Sequence, residues 1–147
     1  MFKHILVPTD GSQFSQDTVQ RAVSFAKEAG ACVTAFYAKP QYKIPHYVGG
    51  EEFDLPPSPE RDELEEKKAQ GILGFIESFC QEAGVPCDKL TLTNNVVYEA
   101  IIEAASTSGC DLIFMASHGR RGLSALLLGS ETTKVLTHTK IPVLVCR

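Results

Sequence analysis

The feature that most constrains the fold is a regular alternation of short apolar runs with longer segments of helical periodicity. Each run is too short for a helix and nearly all apolar, which is typical of strands covered on both faces. The five runs are His4–Thr9, Cys32–Ala38, Pro86–Thr93, Asp111–Ala116 and Ile141–Val145. This alternation predicts a parallel sheet with helices on both faces. The length of 147 residues predicts one α/β domain over residues 1–147.

Four helices are predicted between the strands. Three of them start at residues that can cap a helix, namely Ser12 or Ser15, Ser58 (followed by Pro59), and Gly129-Ser130. Three of them end at glycines, namely Gly30, Gly84 and Gly109. The second helix is expected to bury the stripe Leu64, Ile72, Ile76, Phe79, Cys80 and Ala83. The third is expected to bury Ala100, Ile101, Ala104 and Ala105.

Two connecting segments show neither the helical nor the strand spacing of apolar residues. Lys39–Pro57 contains several prolines and an adjacent glycine pair, and it is predicted to be a long irregular loop. Loops of this length in compact domains are often lids or binding loops. Asn94-Asn95 is predicted to turn the chain, because asparagine tolerates positive φ better than most residues.

Composition excludes several classes of protein. The net charge of −4 and the pI of about 5.5 argue against a general nucleic-acid binder. No apolar run approaches the ~20 residues of a membrane span, and the first residues lack a signal peptide, so a cytoplasmic protein is expected. The five cysteines have no Cys-x-x-Cys spacing, which predicts reduced thiols. A redox role for any of them would require a lowered thiol pKa.

Chemistry-bearing residues follow two of the predicted strands at their carboxyl ends. The first segment is Pro8–Ser12, and the second runs from Ala116 through Gly122 to Gly129-Ser130. A helix that opens at Gly129-Ser130 presents unpaired amides and a positive dipole end, which favours anions. Arg120 and Arg121 could add charge to a phosphate site. The alternative is that Gly129-Ser130 only caps a helix and the arginines are solvated.

Other phosphate-binding motifs are missing from the sequence. It contains no Gly-x-x-x-x-Gly-Lys-Ser/Thr, so a P-loop NTPase is excluded. It also lacks Gly-x-Gly-x-x-Gly after the first strand, which excludes the dinucleotide fingerprint of Rossmann proteins.

The whole chain resembles the universal stress protein family. The resemblance rests on Ile5–Ser12, on Ser117-His118-Gly119 separated by nine residues from Gly129-Ser130, and on Ile141–Val145. It implies an open five-stranded parallel sheet, Rossmann-like, with strand order 3-2-1-4-5. The ATP-binding branch has the pattern Gly-x2-Gly-x9-Gly-Ser/Thr. This chain matches three of its four positions and has Ala116 at the first.

The resemblance also implies a set of contacts to ATP, with or without a bound Mg²⁺ ion. Backbone amides around Gly119, Gly129 and Ser130 hold the phosphates. The candidate nucleoside contacts are Pro8, Thr9, Asp10 and the backbone of Tyr37, with Asp10 near the ribose or a phosphate-bound metal. The remaining candidates belong to the loop itself: Ala116, Ser117, His118, Arg120 and Gly122. Neither a catalytic residue nor a metal site built from protein ligands alone is predicted.

Ala116 leaves two interpretations open. If the backbone there adopts positive φ or touches a phosphate, alanine weakens nucleotide binding relative to glycine. If the residue lies in ordinary extended backbone, the substitution is nearly neutral.

Three functions remain for a protein of this kind. The first is a cytosolic ATP-binding sensor or regulator in a stress response. The second is a slow ATPase or a protein that phosphorylates itself at a residue such as Ser130, although no catalytic base is evident. The third is a nucleotide-free interaction scaffold. In each case a homodimer is expected through the apolar last strand, Pro142–Val145, with further protein partners unknown.

Overall fold

The computed structural model describes residues 1–41, 45–48, 51–54, 58–118 and 127–147. The strands are β1 (His4–Pro8), β2 (Cys32–Lys39), β3 (Pro45–Val48), β4 (Glu51–Asp54), β5 (Cys87–Thr93), β6 (Leu112–Ala116) and β7 (Val143–Cys146). The helices are α1 (Gln13–Ala29), α2 (Pro59–Ala83), α3 (Val97–Thr107) and α4 (Ser130–His138). Five strands form a parallel sheet in the order β5-β2-β1-β6-β7, which confirms the predicted order 3-2-1-4-5.

The apolar strands divide the core into two layers. Along β1, Ile5 and Val7 pack with α1 and α2 on one face, while Leu6 packs with α3 on the other. All three side chains are completely buried. Successive side chains of a strand point to opposite faces, so an uninterrupted apolar run is what a strand covered on both sides requires. The prediction of helices on both faces is therefore confirmed.

The four helices are confirmed, and the burial of α3 matches its predicted stripe. The prediction for α2 is wrong at Leu64, whose side chain is 66% exposed. The buried face of α2 consists of Ala69, Leu73, Ile76 and Cys80. Leu64 lies near the helix start, beyond the region where α2 packs on the sheet, so its apolar side chain has no described surface to cover it.

The prediction of an irregular loop over Lys39–Pro57 is wrong in part. Strand β2 extends to Lys39, and β3 pairs antiparallel with β4, with Val48 opposite Glu51. Two residues separate these strands, and the sequence has glycines at both positions. A Gly-Gly pair between short strand-like segments is a hairpin signal, which explains the pairing.

The asparagine turn forms by a different means from the one predicted. No non-glycine residue in the described ranges has positive φ. Instead the side-chain oxygen of Asn94 accepts a hydrogen bond from the Val96 amide at 2.9 Å, and that of Asn95 accepts one from the Gln41 amide at 2.8 Å. The turn is thus made by side-chain hydrogen bonds to the backbone.

At the amino edge of the sheet, a carboxylate binds the backbone at the start of β1. Asp111 accepts hydrogen bonds from the backbone amides of Lys3 and His4, at 2.8 Å and 3.0 Å. Partial burial opposes ionisation of Asp111, but these amides outweigh it and hold its pKa below the usual value. No helix in the described part of the chain is long and apolar enough to cross a membrane.

Candidate functional site

The predicted site residues that the structure describes lie at the carboxyl edge of the sheet, where parallel α/β proteins bind ligands. Pro8 ends β1, and Ala116 ends β6, the strand beside it. The amide of Thr9 donates to the carbonyl of Phe36 in β2 at 2.9 Å, which holds the start of the β1–α1 turn against that strand. The edge therefore brings the two predicted segments to neighbouring strands.

Three hydrogen bonds hold the start of α4 against the end of β6. The amide of Gly129 donates to the carbonyl of Ser117 at 2.7 Å. The buried hydroxyl of Thr132 donates to the carbonyls of Ala116 and Ser117 at 3.0 Å and 3.4 Å. Thr132 was not among the predicted site residues. Its sequence signal is its place three residues before Val135, on the inward face of the helix.

The first turn of α4 has no side-chain cap. Gly129 occupies the capping position and has no side chain to accept a hydrogen bond from the helix amides. The acid of this turn, Glu131, accepts a hydrogen bond from the Tyr98 amide of α3 at 3.0 Å. The turn thus combines a positive dipole end with amides that no side chain of the described residues caps, which is the arrangement that binds anions.

Gly129 is required by contact with its neighbour and has an ordinary backbone conformation. Its φ is −57°, which any residue can adopt. However, a Cβ atom placed on Gly129 would lie 2.9 Å from the Ser117 carbonyl oxygen and 3.4 Å from the Cα of His118. A side chain here would therefore collide with the end of β6 even in the absence of a ligand.

Ala116 lies in regular strand backbone. It is the last residue of β6, pairs with Cys146 of β7, and does not have positive φ. Of the two conformational alternatives for Ala116, the structure supports ordinary extended geometry. Alanine at the first motif position therefore causes no backbone strain.

Ser117 and His118 form a polar pair after β6. The buried hydroxyl of Ser117 lies 3.0 Å from Nδ1 of His118. Nε2 of His118 is also buried and has no hydrogen-bond partner in the described residues. Because a buried polar atom without a partner is costly, this nitrogen marks a place where a ligand atom could bind favourably.

A small cleft of about 90 Å³ opens beside this pair. It is lined by Asp17, Thr18, Arg21, Ala116, Ser117, His118, Cys146 and Arg147. The sequence predicted Arg120 and Arg121 as the source of positive charge and gave no sign of Arg21 and Arg147, because neither of these belongs to a motif. The cleft is smaller than the roughly 300 Å³ of a small-molecule site, so it could hold only part of a nucleotide.

The β1–α1 turn is organised by Asp10. Its Oδ1 accepts hydrogen bonds from the Ser12 amide at 2.8 Å and from the Ser15 hydroxyl at 2.9 Å. The hydroxyl of Thr9 accepts one from the Gly11 amide at 3.1 Å, and Gly11 has φ of 78°. Ser12 occupies the capping position of α1 without a side-chain cap, so its predicted capping role is wrong and Asp10 holds the turn.

The other predicted residues divide into two groups. The side chain of Tyr37 is buried in the core cluster on the α1 and α2 side of the sheet, so it has a packing role whatever its backbone contacts. Gly119, Arg120, Arg121 and Gly122 lie outside the described residues. No group of three or more potential metal-ligating side chains occurs in the described residues.

Comparison with known proteins assigns the chain to a family. The profile of the universal stress protein family matches residues 1–147. A universal stress protein of Methanocaldococcus jannaschii, MJ0531, is 32% identical over 150 residues, covering 100% of this chain and 83% of the relative.

Solved structures share the fold. A universal stress protein in complex with cAMP superposes with a TM-score of 0.73 at 21% identity, covering 99% of this chain and 97% of the other. One from Archaeoglobus fulgidus in complex with dAMP has a TM-score of 0.66 at 18% identity, covering 99% and 98%. The family profile, the sequence relative and the shared fold agree that this chain belongs to the universal stress protein family.

Proposed function

We propose that this chain is an ATP-binding sensor or regulator that acts in a stress response. The observation that carries the proposal is the uncapped first turn of α4, which two residues hold directly against the end of β6. Relatives with the same fold are found in complex with cAMP and dAMP, which supports an adenine nucleotide as the ligand class.

In this proposal the phosphates bind at the first turn of α4, called the α4 turn below. The amides around Gly129 and Ser130 would bind them, with the Ser130 hydroxyl as a further donor and Gly119 completing the cradle. The unpartnered Nε2 of His118 fits an oxygen-rich ligand beside the same loop. Arg120, Ser117, Ala116 and Gly122 remain proposed contacts of this loop. A Mg²⁺ ion bound with the nucleotide would supply further charge neutralisation on the phosphates.

The nucleoside would bind across the carboxyl ends of β1 and β2. Pro8, Thr9 and Asp10 would line it from the β1–α1 turn, and Tyr37 would contribute its backbone. The buried position of the Tyr37 side chain is compatible with this role, because a strand backbone can contact adenine while the side chain remains in the core.

Titration calorimetry with ATP and Mg²⁺ on nucleotide-free protein tests the proposal. We expect micromolar binding of ATP, weaker binding of AMP and the weakest binding of adenosine, because each removes phosphate from the α4 turn. The informative variant is Ser130→Asp. A carboxylate at the first helical residue stabilises the helix through the dipole but repels phosphate, so affinity should fall about tenfold or more while the fold is kept.

Pro59→Asp is the matched control. It adds the same charge at the first residue of α2 and should leave ATP affinity unchanged. Absence of binding up to millimolar ATP would overturn the proposal and favour the nucleotide-free scaffold. Release of ADP during long incubation, lost in Ser130→Asp, would instead favour slow hydrolysis at the same site.

We also propose that the protein is cytoplasmic and forms a homodimer through β7. This strand is an edge of the five-stranded sheet, and Val143, Leu144 and Val145 are half-buried. An apolar edge that is open to pairing favours a second copy of the same strand. Sedimentation at micromolar concentration should give the dimer mass, and a monomer mass would contradict the dimer.

A further inference from the structure

The cleft of about 90 Å³ lies between the first half of α1 and the ends of β6 and β7, and we call it the α1 cleft. In its wall, Cys146 packs with the core cluster that α1 and α2 cover, whereas α4 packs on the other face of the sheet. The volume is several times the roughly 10–15 Å³ that one water requires, but it is below the roughly 300 Å³ of a small-molecule site. The α1 cleft therefore suits a group of a few heavy atoms, such as a phosphoryl group, and is too small for a base with its ribose.

The α1 cleft adjoins the α4 turn through Ser117 and His118. The Ser117 carbonyl accepts a hydrogen bond from the Gly129 amide at 2.7 Å, and the Ser117 hydroxyl lies 3.0 Å from Nδ1 of His118 in the wall of the cleft. A Cβ atom placed on Gly129 would lie 3.4 Å from the Cα of His118. The start of α4 is thus in contact with the wall of the cleft. A row of phosphates that begins at the α4 turn has the cleft directly beside it.

His118 offers the α1 cleft a hydrogen-bond donor. When the Ser117 hydroxyl donates to Nδ1 of His118, the ring proton lies on Nε2. Nε2 is buried and has no hydrogen-bond partner in the described residues. An oxygen atom of an anion in the cleft would satisfy this nitrogen, which otherwise carries the cost of a buried polar atom without a partner.

Arg21 offers the α1 cleft a positive charge that no acid neutralises. Its side chain is exposed, and the ion pairs among the described residues do not include it, although Asp17 lies one helical turn before it on α1. A guanidinium presents paired N–H groups that match two oxygens of a phosphoryl group. Arg21 is therefore the residue of the cleft best suited to bind a phosphoryl dianion.

We propose that the α1 cleft binds the terminal phosphoryl group of ATP and that Arg21 selects three phosphates over two. This inference rests on the proposed function, because it requires an adenine nucleotide whose other phosphates bind at the α4 turn. The two sites divide the ligand between them. The α4 turn binds the phosphates that ATP shares with ADP, and the α1 cleft binds the one that ADP lacks.

Two features of the α1 cleft limit the size of the selection. Asp17 also lines the cleft, and its carboxylate repels a phosphoryl group. Arg21 is exposed, so solvent and salt screen its charge. We therefore expect Arg21 to contribute about fivefold to tenfold in affinity for ATP.

The test is titration calorimetry of ATP, ADP and AMP in the presence of Mg²⁺, with the full-length chain. Wild type should bind ATP more tightly than ADP. In Arg21→Gln the affinity for ATP should fall about fivefold to tenfold, to near that for ADP, while the affinities for ADP and AMP stay unchanged. Arg21→Lys keeps the charge without the paired donors, so it should restore only part of the preference.

Lys27→Gln is the matched control. Lys27 is exposed in the last turn of α1, at the other end of the helix from the cleft, so its loss changes the net charge equally and should leave all three affinities unchanged. Phosphorus NMR of bound ATP gives a second readout. The γ resonance should differ between wild type and Arg21→Gln, while the α resonance should not.

Distinct outcomes would overturn this inference and the proposed function. Equal affinity of wild type for ATP and ADP would overturn the role of the α1 cleft and leave binding at the α4 turn intact. An equal loss for all three nucleotides in Arg21→Gln, or the same loss of ATP affinity in Lys27→Gln, would also overturn it. Absence of binding of any of the three nucleotides to wild type would instead overturn the proposed function itself.

Discussion

The starts of α2 and α4 are built in opposite ways within one molecule. At α2 the Ser58 hydroxyl accepts a hydrogen bond from the Arg61 amide at 3.3 Å, Pro59 opens the helix, and Glu60 and Asp62 occupy the first turn. At α4 the capping position is a glycine with no side chain to offer. The local sequence supplies a side-chain cap at the start of α2 and supplies none at the start of α4.

The two helix starts differ in how the helix is stabilised and in whether its first amides are left for a ligand. α2 is 25 residues long and α4 only 9, so α4 is the helix that most needs help to form. Contacts with distant residues stabilise it. Thr132 and Gly129 at the helix start donate hydrogen bonds to carbonyls at the end of β6. Because these bonds attach α4 to β6 without using the amides of its first turn beyond Gly129, those amides remain available to a ligand.

The largest effect is expected at Gly129. Gly129→Ala places a methyl group 2.9 Å from the Ser117 carbonyl, so the free energy of unfolding should fall by about 1–3 kcal/mol in urea denaturation. Gly71→Ala in α2 is the matched control, because nothing lies within 4 Å of its added Cβ. That variant should gain about 0.5–1 kcal/mol from helix propensity. Equal stability of the two variants would show that the α4 start is as tolerant as the middle of α2.

Thr132→Val comes next. The substitution keeps the shape of the buried side chain but removes its hydrogen bonds to the Ala116 and Ser117 carbonyls. We expect a loss of about 1–2 kcal/mol in unfolding free energy. The control is Thr137→Val, since the Thr137 hydroxyl is exposed and bonds only within its own helix, and its effect should stay within about 0.5 kcal/mol. A harmless Thr132→Val would mean that Gly129 alone positions the helix.

Ser58→Ala tests the capped helix. Loss of the hydrogen bond to the Arg61 amide should cost about 1 kcal/mol in thermal or urea unfolding. ATP affinity by calorimetry should be unchanged, because the α2 start takes no part in the proposed site. A change in affinity that exceeds the change in stability would contradict the separation of the two helix starts.

The smallest effect concerns the ion pair of Lys39 with Glu66, 2.8 Å apart, which fastens α2 to the end of β2. Hydrogen bonds from Lys39 and Gln70 hold the pKa of Glu66 below its usual value. The pair therefore stabilises the folded state above the usual glutamate pKa, and this stabilisation is lost as the pH falls through the lowered value. Because Glu66 is 47% exposed, solvent screening limits the contribution to below about 1 kcal/mol.

Lys39→Met should remove that acid-dependent part of the stability while leaving the rest of the pH profile unchanged. Urea midpoints measured from neutral to acidic pH would show it. A variant profile that keeps the full acid dependence would assign it to another carboxylate, with Asp111 as the first candidate.

Sequence reasoning succeeded where the information is local and periodic. The buried face of α3 was predicted residue by residue, because Ala100, Ile101, Ala104 and Ala105 recur at helical spacing. It failed at Leu64, since an apolar residue in register is buried only if another element covers it. The β3–β4 hairpin was missed although the sequence carried a signal, the glycine pair between Val48 and Glu51.

For the candidate site, the sequence identified its parts without their roles. Gly129 was selected for approach to an anion, and the structure adds a collision with Ser117 as a reason for glycine. Asp10 was selected for a ligand, and it also organises its own turn. Thr132 went unnoticed because a threonine on an inward helix face has no distinctive pattern.

By itself, the sequence determined the alternation of the five sheet strands with the four helices and the residue types at the carboxyl edge of the sheet. Those follow from periodicity and from residues that start, end or turn a chain, which act over a few neighbouring positions. Only the tertiary structure decided that the α4 amides lie uncapped beside β6 and that Thr132 donates a hydrogen bond to the Ala116 carbonyl. Both depend on side chains and carbonyls brought together by packing, because no short-range pattern encodes which distant groups will touch.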